Sequence, residues 1–129
     1  MEAGAVILIL DDEEMVRENL QAFLEDEGFT ILTAASGEEA LTALQDNRPD
    51  ACIVDMRLPG MSGNDFILKA HAVRPDLRFL IHTGSTNYKL PSGLVDIGMT
   101  RDMVFIKPLR DMYILVEAIS ALLDREKAP

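Results

Sequence analysis

Two adjacent acids, Asp11-Asp12, a third acid at Asp55, a hydroxyl at Thr83 and an ammonium at Lys107 each close a short apolar run. Residues of these types in one place suit Mg²⁺-assisted phosphoryl transfer. Crowded carboxylates repel one another and so favour a divalent cation among them. Magnesium takes hard oxygen ligands, a few carboxylates together with waters and phosphate oxygens. A carboxylate can itself be the nucleophile and become an acyl phosphate. The charge on the transferring group's equatorial oxygens then calls for a metal cation, an ammonium and a hydroxyl donor. Lys107 and Thr83 offer the last two.

Such a site forms only if the apolar runs lie side by side and point the same way. Ala5 to Leu10, Phe29 to Thr33, Ala51 to Asp55, Leu77 to Thr83 and Asp102 to Lys107 read as five strands. Between them lie amphipathic stretches. Val16, Leu20, Phe23 and Leu24 recur at helical spacing, with Gly28 as the C-cap. Ser36 and Glu39 form a capping box that opens a helix to about Asn47, before Pro49. Leu58 to Gly63 is a Gly- and Pro-rich loop, followed by a helix over Ser62 to Ala72. Gly84, Pro91, Gly93 and Gly98 break up the next stretch and leave only a short helix at Ser92 to Ile97. A last helix covers Met112 to Leu123, and the polar tail Asp124 to Pro129 is expected to fray. Strict alternation with right-handed crossovers makes one doubly wound α/β sheet with helices on both faces. Its ligand site lies beyond the carboxyl ends of the strands, where the acids, Thr83 and Lys107 fall.

Bulk properties narrow the function classes. At 129 residues the chain suits one domain with a core at about residues 5–123 and no separate output domain. The initial Met1 favours a chain that is not excised from a longer one. Net charge is −10, from 22 acidic and 12 basic residues, which argues against nucleic-acid binding. Part of that charge clusters as Asp11-Asp12-Glu13-Glu14. The single Cys52 excludes an internal disulfide and reads as a small core residue. No apolar run approaches the about 20 residues of a membrane span, and none is preceded by a basic signal segment. A cytoplasmic protein is expected.

The sequence resembles the response-regulator receiver family along nearly its whole length. The carriers are Asp11-Asp12, the stretch Asp55-Met56-Arg57-Leu58-Pro59-Gly60-Met61-Ser62-Gly63, Thr83-Gly84 and Lys107-Pro108. The resemblance implies a flavodoxin-like sheet of order 2-1-3-4-5. It implies that Asp55 is phosphorylated by a phosphohistidine of a sensor histidine kinase or a histidine phosphotransfer protein. Mg²⁺ would be held by Asp12, by Asp11 through water, by Asp55 and by the carbonyl of Arg57. Lys107 would pair with the phosphoryl group, Thr83 would move to bond it, and the peptide before Pro108 would be cis. The output would be regulation of a downstream protein by a monomer or a weak phosphorylation-dependent dimer. Such a chain is no turnover enzyme beyond its own phosphotransfer and slow autodephosphorylation.

Three positions depart from the pattern. Val104 stands where the family carries a Tyr or Phe coupled to the threonine, and Phe105 should face the other side of its strand. Leu109 follows the Lys-Pro pair where Phe is common. Tyr88-Lys89-Leu90-Pro91-Ser92-Gly93 replaces an acidic helix start, so an altered output surface is expected. Arg57 and Ser85 lie two residues past Asp55 and Thr83, where the resemblance places them facing the phosphoryl group, with Arg57 able to hinder an attacking water.

Each reading has a plainer counterpart. Asp55 could be a strand-end acid capping the next turn, Asp12 an N-cap of the first helix, Lys107 a snorkelling surface lysine and Thr83 an ordinary strand former. The matching motifs favour the site. His82 reads as structural, since strand alternation turns it from Thr83, and His71 reads as a surface residue. A haloacid-dehalogenase-type phosphohydrolase would need a second Asp where Arg57 stands. A flavin-binding relative would need a phosphate loop where the acid pair lies. A receiver reduced to a docking module would have lost chemical residues that are all present here.

Overall fold

A computed structural model describes residues 4–127, with side chains up to Asp124. Five strands, β1 (Val6–Leu10), β2 (Thr30–Ala34), β3 (Ala51–Val54), β4 (Arg78–Thr83) and β5 (Val104–Ile106), alternate with five helices. The helices are α1 (Glu14–Asp26), α2 (Gly37–Asp46), α3 (Gly63–Val73), α4 (Ser92–Asp96) and α5 (Tyr113–Lys127). All strand pairs are parallel, in the order β2-β1-β3-β4-β5, as the resemblance implies. The order reverses beside β1, so β1 and β3 flank the switch point.

Burial explains why the runs are apolar. Ile7 to Leu10 and Ala51 to Val54 have helices over both faces and lose essentially all contact with water. Leu20 and Leu24 of α1, Phe66, Ile67 and Ala70 of α3, and Leu115 and Ile119 of α5 close the layers. Phe66 and Phe79 meet edge to face, with ring centroids 6.4 Å apart. Cys52 is fully buried in β3, and burial pushes its thiol up, as suits a core residue. Gly28 has φ +98 after α1, a conformation that favours glycine. The hydroxyl of Ser36 accepts from the Glu39 amide at 3.1 Å, and the Glu39 carboxylate accepts from the Ala35 amide at 2.9 Å. Ser62 caps α3 in the same way through the Asp65 amide.

Three expectations shift. The fifth strand is shorter than Asp102 to Lys107, because Arg101–Met103 forms a 3₁₀ turn first. The Met103 amide donates to the Thr100 carbonyl, and Thr100 bonds Asp102; these local bonds outcompete pairing with β4. The last helix continues past Leu123 to Lys127. Buried Leu122 and Leu123 anchor that end, and the residues beyond are mostly strong helix formers. Residues 128 and 129 of the expected frayed tail lie outside the described residues. His71 is half-buried rather than a simple surface residue. Among the described residues no helix is long and apolar enough to cross a membrane.

Candidate functional site

Backbone hydrogen bonds carry the sheet one residue past its strand ends and fix the polar side chains there. The Asp11 amide donates to the Ala34 carbonyl at 3.1 Å, Asp55 to Leu10 at 2.9 Å and Lys107 to Thr83 at 2.8 Å. Asp11, Asp55 and Thr83 are thereby held almost wholly out of water, and only 13% of the Lys107 side chain is exposed. Three of the four neighbouring strand pairs are thus joined one residue past their ends.

Lys107 is the hub. Its ammonium lies 2.8 Å from Asp11 Oδ2, 3.2 Å from Asp55 Oδ2 and 3.6 Å from Glu13 Oε2. Carboxylate oxygens of Asp11, Asp12, Glu13 and Asp55 lie within 4.8 Å of one another. That donor set is hard oxygen throughout, on two buried and two exposed acids, and it fits Mg²⁺ with room on the exposed side for waters. Burial raises the Asp11 carboxyl above its ordinary range, against the opposing pull of Lys107 and the Glu13 amide. Burial also disfavours the Lys107 ammonium, but its hydrogen bonds and charge contacts with Asp11 and Asp55 together win and raise it. The ammonium therefore stays charged between two acids.

Each expected site residue has a defined place. Asp11, Asp12, Asp55 and Lys107 come together. Asp12 does not cap α1: that helix has no side-chain cap, and the Glu13 amide is taken by Asp11 Oδ1 at 2.9 Å. Asp12 is left exposed at the mouth. Thr83 ends the neighbouring strand, and its hydroxyl accepts from the Ser85 amide at 3.2 Å, turned toward its own loop. The Arg57 amide approaches Asp55 Oδ1 at a long 3.4 Å, and its side chain is exposed. The Lys107-Pro108 peptide is cis.

Two neighbours were not singled out by sequence. Glu13 was only part of an acidic run, yet it reaches Lys107. Arg17, on the facing turn of α1, donates to the Asp11 carbonyl at 2.8 Å and braces the acid loop. Nothing in its spacing alone separates Arg17 from an ordinary helix-surface arginine.

His82 is buried in β4 beside the site strand end, and its Nδ1 has no partner among the described residues. Burial, helped by the Lys107 charge and opposed by Asp55, lowers its pKa from 6.5 to about 4. Between those values the unfolded chain binds a proton that the folded chain refuses, so stability falls as pH drops through that window. The drop should reach about 3 kcal/mol near pH 4. Urea unfolding of wild type and His82→Leu at neutral and acid pH tests this. The variant should lose distinctly less, and parallel losses would clear His82 of the effect.

A doubly wound parallel sheet of this order, with acids and a lysine gathered at its switch point, is the flavodoxin-like α/β architecture. The sequence matches the response regulator receiver domain over residues 7–120, and the chain belongs to that family of two-component signalling domains. It is 32% identical over 119 residues to a response regulator of Streptococcus pneumoniae, covering 92% of this chain and 53% of that one. It is 38% identical over 77 residues to the probable transcriptional regulatory protein TcrX of Mycobacterium tuberculosis, covering 60% of this chain and 33% of that one. The chain thus spans about a third to a half of the length of these relatives. Among solved structures it resembles a CheY-like receiver of Methanospirillum hungatei, with TM-score 0.81 and 28% identity over 96% of this chain and 97% of that one. It also resembles the response regulator TrrA of Thermotoga maritima, solved with Mg²⁺ and BeF, with TM-score 0.79 and 27% identity over 92% of this chain and 98% of that one.

Proposed function

We propose that this domain, with residues 5–123 acting as one receiver unit, accepts a phosphoryl group on Asp55 and so regulates a downstream protein. The donor is a phosphohistidine on a sensor kinase or a histidine phosphotransfer protein. The observation that carries this reading is Lys107 bridging Asp11 and Asp55 at 2.8 and 3.2 Å within a ring of carboxylates.

An Asp55 carboxylate oxygen attacks phosphorus as the phosphorus–nitrogen bond breaks, and that bond's electron pair returns to the imidazole. Asp12, Asp11, Asp55 and the Arg57 carbonyl would hold Mg²⁺, which screens the negative charge of the entering group. Lys107 loses part of its contact with Asp55 and takes up a phosphoryl oxygen. Thr83 turns its hydroxyl from Ser85 to another. Phosphorylation thereby draws two strand ends inward and shifts the population toward an active loop arrangement.

Intact mass after incubation with acetyl phosphate tests the metal requirement. With Mg²⁺ a single phosphoryl adduct is expected; with EDTA it should disappear. In Asp12→Ala the adduct should form at least about tenfold more slowly, since a single charged ligand contact is worth more than 1.4 kcal/mol. An adduct indifferent to both changes would remove the metal from this account.

A further inference from the structure

A chain of hydrogen bonds runs from the site to a half-buried tyrosine that the phosphoryl chemistry does not use. The Thr83 hydroxyl accepts from the Ser85 amide at 3.2 Å. The Ser85 carbonyl accepts from the Tyr88 amide at 3.2 Å. The Tyr88 hydroxyl then donates to Asn64 Oδ1 at 2.6 Å, across to the second residue of α3. The residue before it, Gly63, is pressed so closely on the Asp55 carbonyl that a Cβ there would come within 2.2 Å of the oxygen. The Tyr88–Asn64 bond therefore ties the loop after Thr83 to the start of α3, which packs on the Asp55 carbonyl.

Tyr88 also faces open space. It lines a groove with Lys89, Leu90, Arg101, Val104 and Ile106, and it is the groove's one aromatic residue. Val104, smaller than an aromatic side chain, lines the same groove. Burial pushes the Tyr88 phenol up to about 12, so it stays a donor at ordinary pH.

We propose that Tyr88 is a positioning residue that couples Thr83 to this groove. Its bond to Asn64 holds the loop with the Thr83 hydroxyl turned to Ser85; drawing Thr83 to the phosphoryl group releases that bond and lets the ring move in beside Val104. The proposal rests on the phosphoryl-acceptor reading above. A charge-assisted bond to a phosphoryl oxygen is roughly twice as strong as a neutral one, so it offsets the two neutral bonds that are given up, Ser85 to Thr83 and Tyr88 to Asn64. The groove's two cations, Lys89 and Arg101, would then flank an aromatic face rather than an open space.

The chain has two tyrosines and no tryptophan, so a Tyr113→Phe background labelled with 3-fluorotyrosine gives one fluorine signal, from Tyr88. Adding Mg²⁺ and beryllofluoride should move that signal in step with the amide resonances of Asp55 and Lys107. Asn64→Ala without beryllofluoride should shift it toward the same position and tighten beryllofluoride binding roughly fivefold, the worth of one neutral hydrogen bond. Asn64→Asp, which keeps an acceptor oxygen, should retain the wild-type signal. A static fluorine signal while the site amides respond would overturn the coupling, as would an Asn64→Ala variant unchanged in both signal and affinity. If the site amides fail to respond as well, the phosphoryl site itself is wrong and the coupling falls with it.

Discussion

Asp55→Ala should fold normally and take up no detectable phosphoryl group from acetyl phosphate with Mg²⁺. Adduct formation should fall at least about 100-fold, the size of change that follows loss of a covalent nucleophile. The fold should survive for two reasons. The Asp55 backbone bond to the Leu10 carbonyl does not depend on the side chain. Lys107 keeps Asp11 at 2.8 Å and Glu13 at 3.6 Å, so no buried cation is stranded. One of two neighbouring buried carboxylates disappears, which relieves repulsion with Asp11. The urea midpoint should therefore match or exceed that of wild type, a result that separates lost chemistry from lost structure. Wild-type adduct levels in the variant would put the phosphoryl group on another residue and sink the assignment.

Much of this arrangement was legible because its causes are local or periodic. Ile7 to Leu10 reads as a two-sided buried strand since nothing polar interrupts it, and the acids and Lys107 follow such runs directly. Parallel order then forces those ends onto one face, so the cluster of Asp11, Asp12, Asp55 and Lys107 could be foreseen. What could not be foreseen depends on contacts distant in sequence or on competition at short range. Lys107 was expected to pair with a phosphoryl group, while its contact with Asp11 crosses 96 positions. Asp12 could have capped the first helix, yet that helix starts one residue later, at a Glu13 cap position with no side-chain bond. The 3₁₀ turn ahead of β5 wins through side-chain and turn bonds that no hydrophobic period records. The tie from Tyr88 to Asn64 joins a loop and a helix start whose sequences give no hint of each other. Val104 marks only where an aromatic is missing, and nothing in the sequence places it in one groove with Tyr88.

Gly63→Ala should be the most destabilising single methyl group that can be added near the site. Gly63 opens α3, and its amide donates to the Met56 carbonyl at 3.2 Å. A Cβ there would lie 2.2 Å from the Asp55 carbonyl oxygen, 2.5 Å from Met56 Cε and 2.9 Å from Met56 Cα. The methionine tip can swing away, but two of the three obstacles are backbone. Relief requires the start of α3 to separate from the loop after β3, and that loop carries Asp55. Overpacking of this kind costs about 2–3 kcal/mol, which for a domain of this size lowers Tm by roughly 10 °C. The same displacement shifts the Asp55 carboxylate from Lys107 and slows phosphoryl uptake in the molecules that stay folded. Gly84→Ala is the matched control, because nothing lies within 4 Å of a Cβ at that position. It should stay within about 0.5 kcal/mol of wild type, although it too adjoins a site residue, Thr83. Thermal unfolding of the two variants decides the matter. Equal midpoints would mean that the loop after β3 yields freely, and then close packing of α3 against Asp55 could not be what holds the nucleophile in place.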